Sequence, residues 1–564
     1  MFGFGKTIKE PLADAKTAER WLASFPANDP LSMHGAVLVG LGRLTERDAK
    51  RTPGRLEAIF CVDRFTDPLR KNLTAQYLEH GNRSTRVENQ LWQALFDLTQ
   101  GFLLCYQAFA REVTDHAQSN KWQSLLPELI ARQITHQGLD AKIRLFRYEQ
   151  WIPAKWSDLH SLFQMACSAQ IERQPVAVLP DGGLTTIEQE YLWVLVLHLM
   201  NSGNLTPRHL EWVAGQLSEW CAPLRLTIES SIVTSFYVDL ASRTGLKRRN
   251  PQPLEGRVLF LDTRPLHAVL MQNVVMLDQK VRNNPLSDRT PRRADQLNLL
   301  SKLASQVDPE FKPFPRRGER TSSAGSVDAI IGFAKIAGFL RDEEMQPFVD
   351  VNRSPSTFGE TIEIATFGRM RNENARTMEI TRQRLANYAA PGGTWDMRDI
   401  SQTGFRLIAP MSVINAVTLG TLAAIRPQPQ MRWTLGIVRR MKRLTTERAE
   451  IGLQVIANNL VGVELTETKR TEPDVSTKGE VPTVDSRSFN GLFLSLKKRE
   501  GATAVQTLVV PPGEYQPGKR LHMSVAQSSQ RIAFGRVLEQ HPDWVWATVE
   551  PLVPATQPAV KASR

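Results

Sequence analysis

The first two hundred residues carry apolar positions at a helical period. Leu91, Leu95, Leu98, Phe102, Cys105 and Phe109 recur at three- and four-residue steps, which lays an apolar stripe along one face of a long helix. Thr185 with Glu188 has the spacing of a capping box ahead of the apolar run Tyr191 to Met200, and Thr206-Pro207 reads as an N-cap followed by proline in the first turn. Trp151, Trp156, Phe163 and Trp193 lie among these helices and are expected in the core rather than as ligand platforms.

Near residue 225 the period shortens. Phe236 to Leu240 and Arg257 to Leu261 read as short strands, and Pro265 to Leu303 is helical again. Ser326 to Ile331 reads as a strand and Ile331 to Arg341 as a helix, while residues 346–394 are polar and punctuated, the pattern of a long loop. From Trp395 onward strand signals dominate: Gly404 to Ile408, Arg432 to Met441 and Ile451 to Ile456, then Leu492 to Leu496, Thr507 to Val510, Leu521 to Val525, Arg531 to Leu538 and Trp544 to Val549. The expected organisation is an α+β multidomain chain. It comprises a helical domain over 1–224, a small mixed α/β segment over 225–312, a β unit over 313–466 with a helix and loop inserted at about 331–394, a linker or long loop over 467–488, a second β domain over 489–554 and a disordered tail over 555–564. Length alone agrees, since 564 residues correspond to about three or four domains.

Composition narrows the function. The longest apolar run falls well short of the ~20 residues that cross a bilayer, and MFGFGKTIKEPLADAK has no continuous apolar core for a signal peptide, so a cytoplasmic protein without membrane insertion is expected. Cys61, Cys105, Cys167 and Cys221 stand alone, and the ten histidines form no short ligand pair; buried free thiols and no metal site are expected. Between residues 311 and 450 the chain has 21 Lys+Arg against 14 Asp+Glu, and 18 of those cations are arginine. That excess suits a planar bidentate donor, although a genome that prefers arginine codons gives the same count.

The stretch WDMRDISQTGFRL, Trp395 to Leu407, contains Asp399-Ile-Ser401-Gln-Thr-Gly404, of the form DxSxxG. Upstream, Arg316-Arg317-Gly-Glu-Arg320 has the form RRxxR, and Trp433 to Arg440 with Ile451 to Ile456 supply later strands. Together these resemble the two signatures of the PilZ domain, the bacterial receptor module for cyclic di-GMP, over roughly residues 313–466. The resemblance implies a six-stranded antiparallel β-barrel there, followed by a second β-barrel-like domain. It also implies a site in which Arg316 and Arg320 grip phosphate and guanine, Arg317 is a neighbouring contact, Asp399 and Ser401 meet the base edge and Gly404 shapes the turn, with Arg398 and Arg406 as possible additional contacts.

The chemistry stands beside the family name: a dianion with two guanines needs cations for phosphate, donors for O6 and N7, and acceptors for the amino edge. One feature departs from the pattern, because 79 positions separate Arg320 from Asp399. The working arginines could instead be Arg369, Arg371, Arg376, Arg382 or Arg384, and Asp399 and Ser401 could simply cap a turn.

Cyclic di-GMP is therefore the expected ligand, with no cofactor, and a protein partner is expected through the helical region. The alternative is a degenerate PilZ fold acting as an adaptor without nucleotide. A sequence pI of about 9.6 would suit a nucleic-acid binder, but no RNA or DNA motif accompanies it and nucleic acid is disfavoured. Neither GGDEF nor EAL nor GxxxxGK[ST] nor GxSxG occurs, so no catalysis is expected.

Overall fold

The computed structural model describes residues 10–552 apart from 27–28, 80–84, 117, 179–182, 202, 231–234, 250–255, 284–290, 311–320, 345–387, 389–394, 402, 415–416, 428–432, 459, 471–483, 497–504 and 526–527. The chain forms two compact units, Met1–Phe314 and Pro315–Arg564. The expected loop over 346–394, apart from Tyr388, and the expected tail over 555–564 lie outside the described residues.

The first unit opens with α1 (Ala15–Leu22), α2 (Pro30–Thr45), α3 (Pro53–Phe65), α4 (Asp67–Leu78), α5 (Thr85–Asp115), α6 (Asn120–Leu145), α7 (Pro153–Ser168), α8 (Ile187–Met200) and α9 (Pro207–Cys221). The stripe on α5 is its core face: Leu95, Leu98, Phe102, Cys105 and Phe109 are all buried. Thr206 caps α9 as read, accepting from the His209 N–H at 3.2 Å. The cap of α8 falls one residue later than its sequence pattern predicts. Thr186 accepts from the Gln189 N–H at 3.1 Å, while the Thr185 hydroxyl points inward and donates to Glu190 at 3.0 Å. Burial of Glu190 needs that hydroxyl, so tertiary packing chose between two adjacent threonines.

Strands β1 (Leu226–Thr227), β2 (Phe236–Asp239), β3 (Lys247–Arg248) and β4 (Val258–Leu261) form an antiparallel sheet in the order β1-β4-β2-β3, followed by α10 (Arg264–Asn283) and α11 (Pro291–Val307). Phe236, Val238, Leu261 and Leu303 share one continuous apolar core with the helices, so this segment packs as part of the helical unit.

A polar hub lies inside that core. Asp63, 3% exposed, accepts from Arg70 at 2.8 Å on one oxygen, and from Tyr106 at 2.8 Å, Arg132 at 2.9 Å and His136 at 3.0 Å on the other. Burial works to raise the Asp63 carboxyl, but His136, Arg70 and Arg132 outweigh it and hold it well below the usual carboxylate range. Burial pushes His136 down against the pull of Asp63, so the ring is neutral and donates through Nε2. Its Nδ1 is then a bare acceptor, buried without a partner.

The second unit holds two closed six-stranded antiparallel barrels. The first is built from β5 (Thr321–Ile331), β6 (Trp395–Ser401), β7 (Gly404–Pro410), β8 (Leu422–Pro427), β9 (Thr434–Arg443) and β10 (Arg448–Ala457), in the order β10-β7-β6-β5-β8-β9, with α12 (Phe333–Glu344) inserted after β5. The second is built from β11 (Leu460–Arg470), β12 (Val484–Leu496), β13 (Val505–Val510), β14 (Arg520–Val525), β15 (Ser528–His541) and β16 (Trp544–Pro551), in the order β11-β12-β13-β16-β15-β14.

The expected boundaries shift here. Residues 460–466, assigned from sequence to the first β unit, belong to β11 of the second barrel, and much of the expected 467–488 linker is strand paired out to Arg470 opposite Val484. Residues 471–483 lie outside the described residues. The polar run Thr466 to Arg470 disguised the strand, because it lacks the apolar alternation by which a strand is read.

Helix α12 sits between the barrels. Ile336 and Phe339 share a core with Leu422, Leu435 and Ile437 of the first barrel and with Leu492, Val509 and Trp544 of the second. Arg341 donates to Asn490 at 2.8 Å, and a Cβ at Gly462 would lie 2.8 Å from the Arg341 nitrogen, so β11 accepts only glycine beneath the helix. Arg439 of β9 adds a two-pronged ion pair to Glu539 of β15.

The hub sets a stability prediction. Asp63→Ala strands the buried Arg132 with Glu128 as its remaining acid and is expected to destabilise the chain by roughly 3–5 kcal/mol, read from denaturant or thermal unfolding. The pH signs agree. His136 is neutral when folded, so stability falls as pH drops below the ordinary 6.5; Asp63 is ionised when folded, so its contribution fades only below 3.8. A stability profile flat between pH 7 and 4 would contradict the neutral His136.

Candidate functional site

The hairpin β6–β7 carries the DxSxxG residues. Antiparallel pairing sets Met397 opposite Leu407 and Asp399 opposite Arg406, so Arg398 is one extra residue in β6, a β-bulge. The bulge resets the alternation: Met397 faces the barrel interior, yet Asp399 two positions on pairs with Arg406 on the outer face. Arg398 itself is exposed and has no acid partner among the described residues.

Asp399 is 7% exposed and receives the Arg406 Nε at 2.7 Å; an outer nitrogen of the same guanidinium lies 3.8 Å from Glu450 of β10. The Ser401 hydroxyl donates to the Gly404 carbonyl at 3.2 Å, closing the turn, and Val455 donates to the Thr403 carbonyl at 3.0 Å. A Cβ at Gly404 would lie 2.5 Å from the Leu453 carbonyl oxygen, and its φ is not in the left-handed region. Glycine is required at 404 for close approach of β7 to β10.

The strand register answers the wide motif spacing. Thr321 pairs with Ile400 and Ser322 with Asp399, so the start of β5 lies beside the end of β6. Arg320 directly precedes Thr321 in sequence. Within this 79-position separation β5 runs on to Ile331, α12 follows, and Trp395 opens β6 in register with β5. Arg316, Arg317 and Arg320 themselves lie outside the described residues, as do Arg369, Arg371, Arg376, Arg382 and Arg384.

Five of the sequence-selected residues, Arg398, Asp399, Ser401, Gly404 and Arg406, thus share one corner of the first barrel. Ser401 in this state bonds to its own turn, as the turn-capping alternative expects, whereas Asp399 holds a neighbouring strand's cation. Sequence reading placed no role on Gly452, Gln454, Arg439 or Arg440, which lie on the adjoining strands. Gly452 pairs with Arg406 on one side and Arg440 on the other, and Gln454 pairs with Gly404 and accepts from the Arg439 Nε at 2.7 Å. A glycine inside an otherwise β-branched run was the available signal. Among the described residues no three His, Cys, Asp or Glu side chains converge as a metal ion would need, and no helix is long and apolar enough to cross a membrane.

Comparison with known families matches two regions. Residues 16–231 match the family model described as the N-terminal domain of the cyclic-di-GMP receptor FimW, and residues 352–460 match that described as the middle PilZ domain of the same receptor. The second match contains Asp399, Ser401, Gly404 and Arg406 and starts after Arg320. No curated protein matches the chain.

Gly404 and Gly35 make a matched pair for testing the turn. Gly404→Ala drives a Cβ into the Leu453 carbonyl and is expected to destabilise the protein by about 1–3 kcal/mol. Gly35→Ala, on an exposed helix face with nothing within 4 Å, is expected to be stabilising by about 0.4–1 kcal/mol. Equal melting curves for the two variants would refute the close-approach argument.

Proposed function

We propose, on the premise that the chain is a PilZ-domain protein of the cyclic-di-GMP receptor family, that it is a non-catalytic receptor binding cyclic di-GMP on the outer face of the β6–β7 corner. The register carries this reading: barrel closure sets the strand that follows Arg316, Arg317 and Arg320 directly beside Asp399 and Ser401. In the proposed complex the Arg316 and Arg320 forks take phosphate and guanine O6/N7, with Arg317 adjacent. Asp399 accepts from the guanine amino edge, and Ser401 turns its hydroxyl from the Gly404 carbonyl toward the base. Gly404 keeps the turn flat beneath the ligand.

The Asp399–Arg406 pair suits such an exchange. Arg406 is 45% exposed, so the pair is worth only about 0–1 kcal/mol and can open to let both groups meet the nucleotide. Ligand binding then engages the arginines ahead of β5 and, through α12, biases the packed barrels; a protein partner reads the result through the helical unit. Because the ligand is an intracellular second messenger, the protein is assigned to the cytoplasm.

Two observations define the competing outcomes. The family match starts at residue 352, which favours arginines of 369–384 as the phosphate donors. Ser401 and Asp399 already have intramolecular partners, which favours an adaptor without nucleotide.

Calorimetric titration with cyclic di-GMP, beside GTP and cyclic di-AMP, separates them. Wild type is expected to bind cyclic di-GMP selectively, with Arg316→Ala and Asp399→Ala each weakening binding by about 10- to 100-fold, the loss of one or two charge-assisted hydrogen bonds. Loss on Asp399→Ala alone would move the arginine role to 369–384. No binding by wild type would leave the adaptor in its place.

A further inference from the structure

The outer face of the first barrel continues beyond the DxSxxG corner in a row of cross-strand partners. Asp399 of β6 pairs with Arg406 of β7, Arg406 with Gly452 of β10, and Gly452 with Arg440 of β9. Direct partners in antiparallel strands point to the same face, at a spacing of about 4.8 Å per strand. The next row runs Ser401, Gly404, Gln454. Glycines therefore occupy adjacent rows at 404 and 452, and between Arg406 and Arg440 the sheet carries no side chain.

The far edge of that bare lane is cationic. A second β-bulge, between the pairs Gly452–Arg440 and Leu453–Val438, makes Arg439 the extra residue on β9. Arg439 is committed: its outer nitrogens hold Glu539 and its Nε holds Gln454. Arg406 faces Asp399 and Glu450 at the β6 side of the lane. Arg440 is exposed and has neither an acid partner nor a hydrogen-bond acceptor among the described residues, and its Cβ lies 3.1 Å from where a Cβ at 452 would sit. An unpaired guanidinium beside a strand-interior glycine is what a sheet offers a planar anionic ligand lying flat on it.

We infer that Arg440 is a further ligand-binding residue, which holds the second nucleotide unit of the ligand across the floor formed by Gly404 and Gly452. This rests on the receptor reading above and adds to it. A cyclic dinucleotide has two phosphates and two bases. The Asp399 corner engages one base from the β6 side, and the other half extends over β10, where Arg440 supplies the cation. Gln454, exposed on the next row, has its Oε1 held by Arg439.

The test uses the full chain and four variants with one set of titrations. Arg440→Ala, a surface change that leaves folding intact, is expected to weaken cyclic di-GMP binding by about tenfold, and Arg440→Glu by more. Arg448→Ala removes another exposed cation, one paired with Asp396, and is expected to change nothing. Against GMP, which fills only one half, Arg440→Ala is expected to match wild type, a difference that a merely structural arginine would not produce. Wild-type affinity in Arg440→Ala, with binding lost in Asp399→Ala, would overturn this inference and keep the receptor. Absence of binding by wild type would overturn both.

Discussion

Antiparallel pairing of β5 with β6 is the constraint on which the rest of the second unit depends. A closed barrel has no free edge, so every strand must find two neighbours in register. For β5 those neighbours are β6 and β8; the register buries Val327 and Ala329 and, across an irregularity between Ser322 and Gly325, sets Ser322 against Asp399. The insertion after β5 costs little, because loop closure grows only logarithmically with length. Two distant pieces of sequence are thereby held one strand spacing apart by backbone pairing.

Bulges then decide which side chains face outward. One extra residue at Arg398 sends Asp399 and Ser401 to the same face as Arg406, and another at Arg439 aims a guanidinium at the neighbouring barrel. Neither bulge buries apolar surface. Each loosens the ladder locally and re-aims a charged group, the arrangement expected near a binding surface rather than in a plain structural barrel.

The two barrels are not beads on a string. Only Asn458 and Asn459 separate β10 from β11, and α12 contributes one face to a core that draws on both. Packed side chains and the Arg439–Glu539 pair join the two barrels. The helical unit is stabilised differently, by a large apolar core that encloses buried carboxylates, among them Asp63, which four donors satisfy. Its polar interior is self-consistent, which agrees with a structural hub more than with a second site.

By itself the sequence determined the helical stripe of α5, the strands with β-branched runs such as β7, β9 and β10, and the DxSxxG corner, because each depends on local periodicity or on residue types within a few positions. It did not reveal β8, whose Leu-Ala-Ala-Ile run is buried on both faces under α12 and shows no alternation, or β11, whose outer half is polar. Nor did it show Gly452 and Arg440 in line with Asp399. Those are facts of register: which residues share a row is settled by the pairing of strands far apart in the chain, and only the closed barrel supplies that pairing.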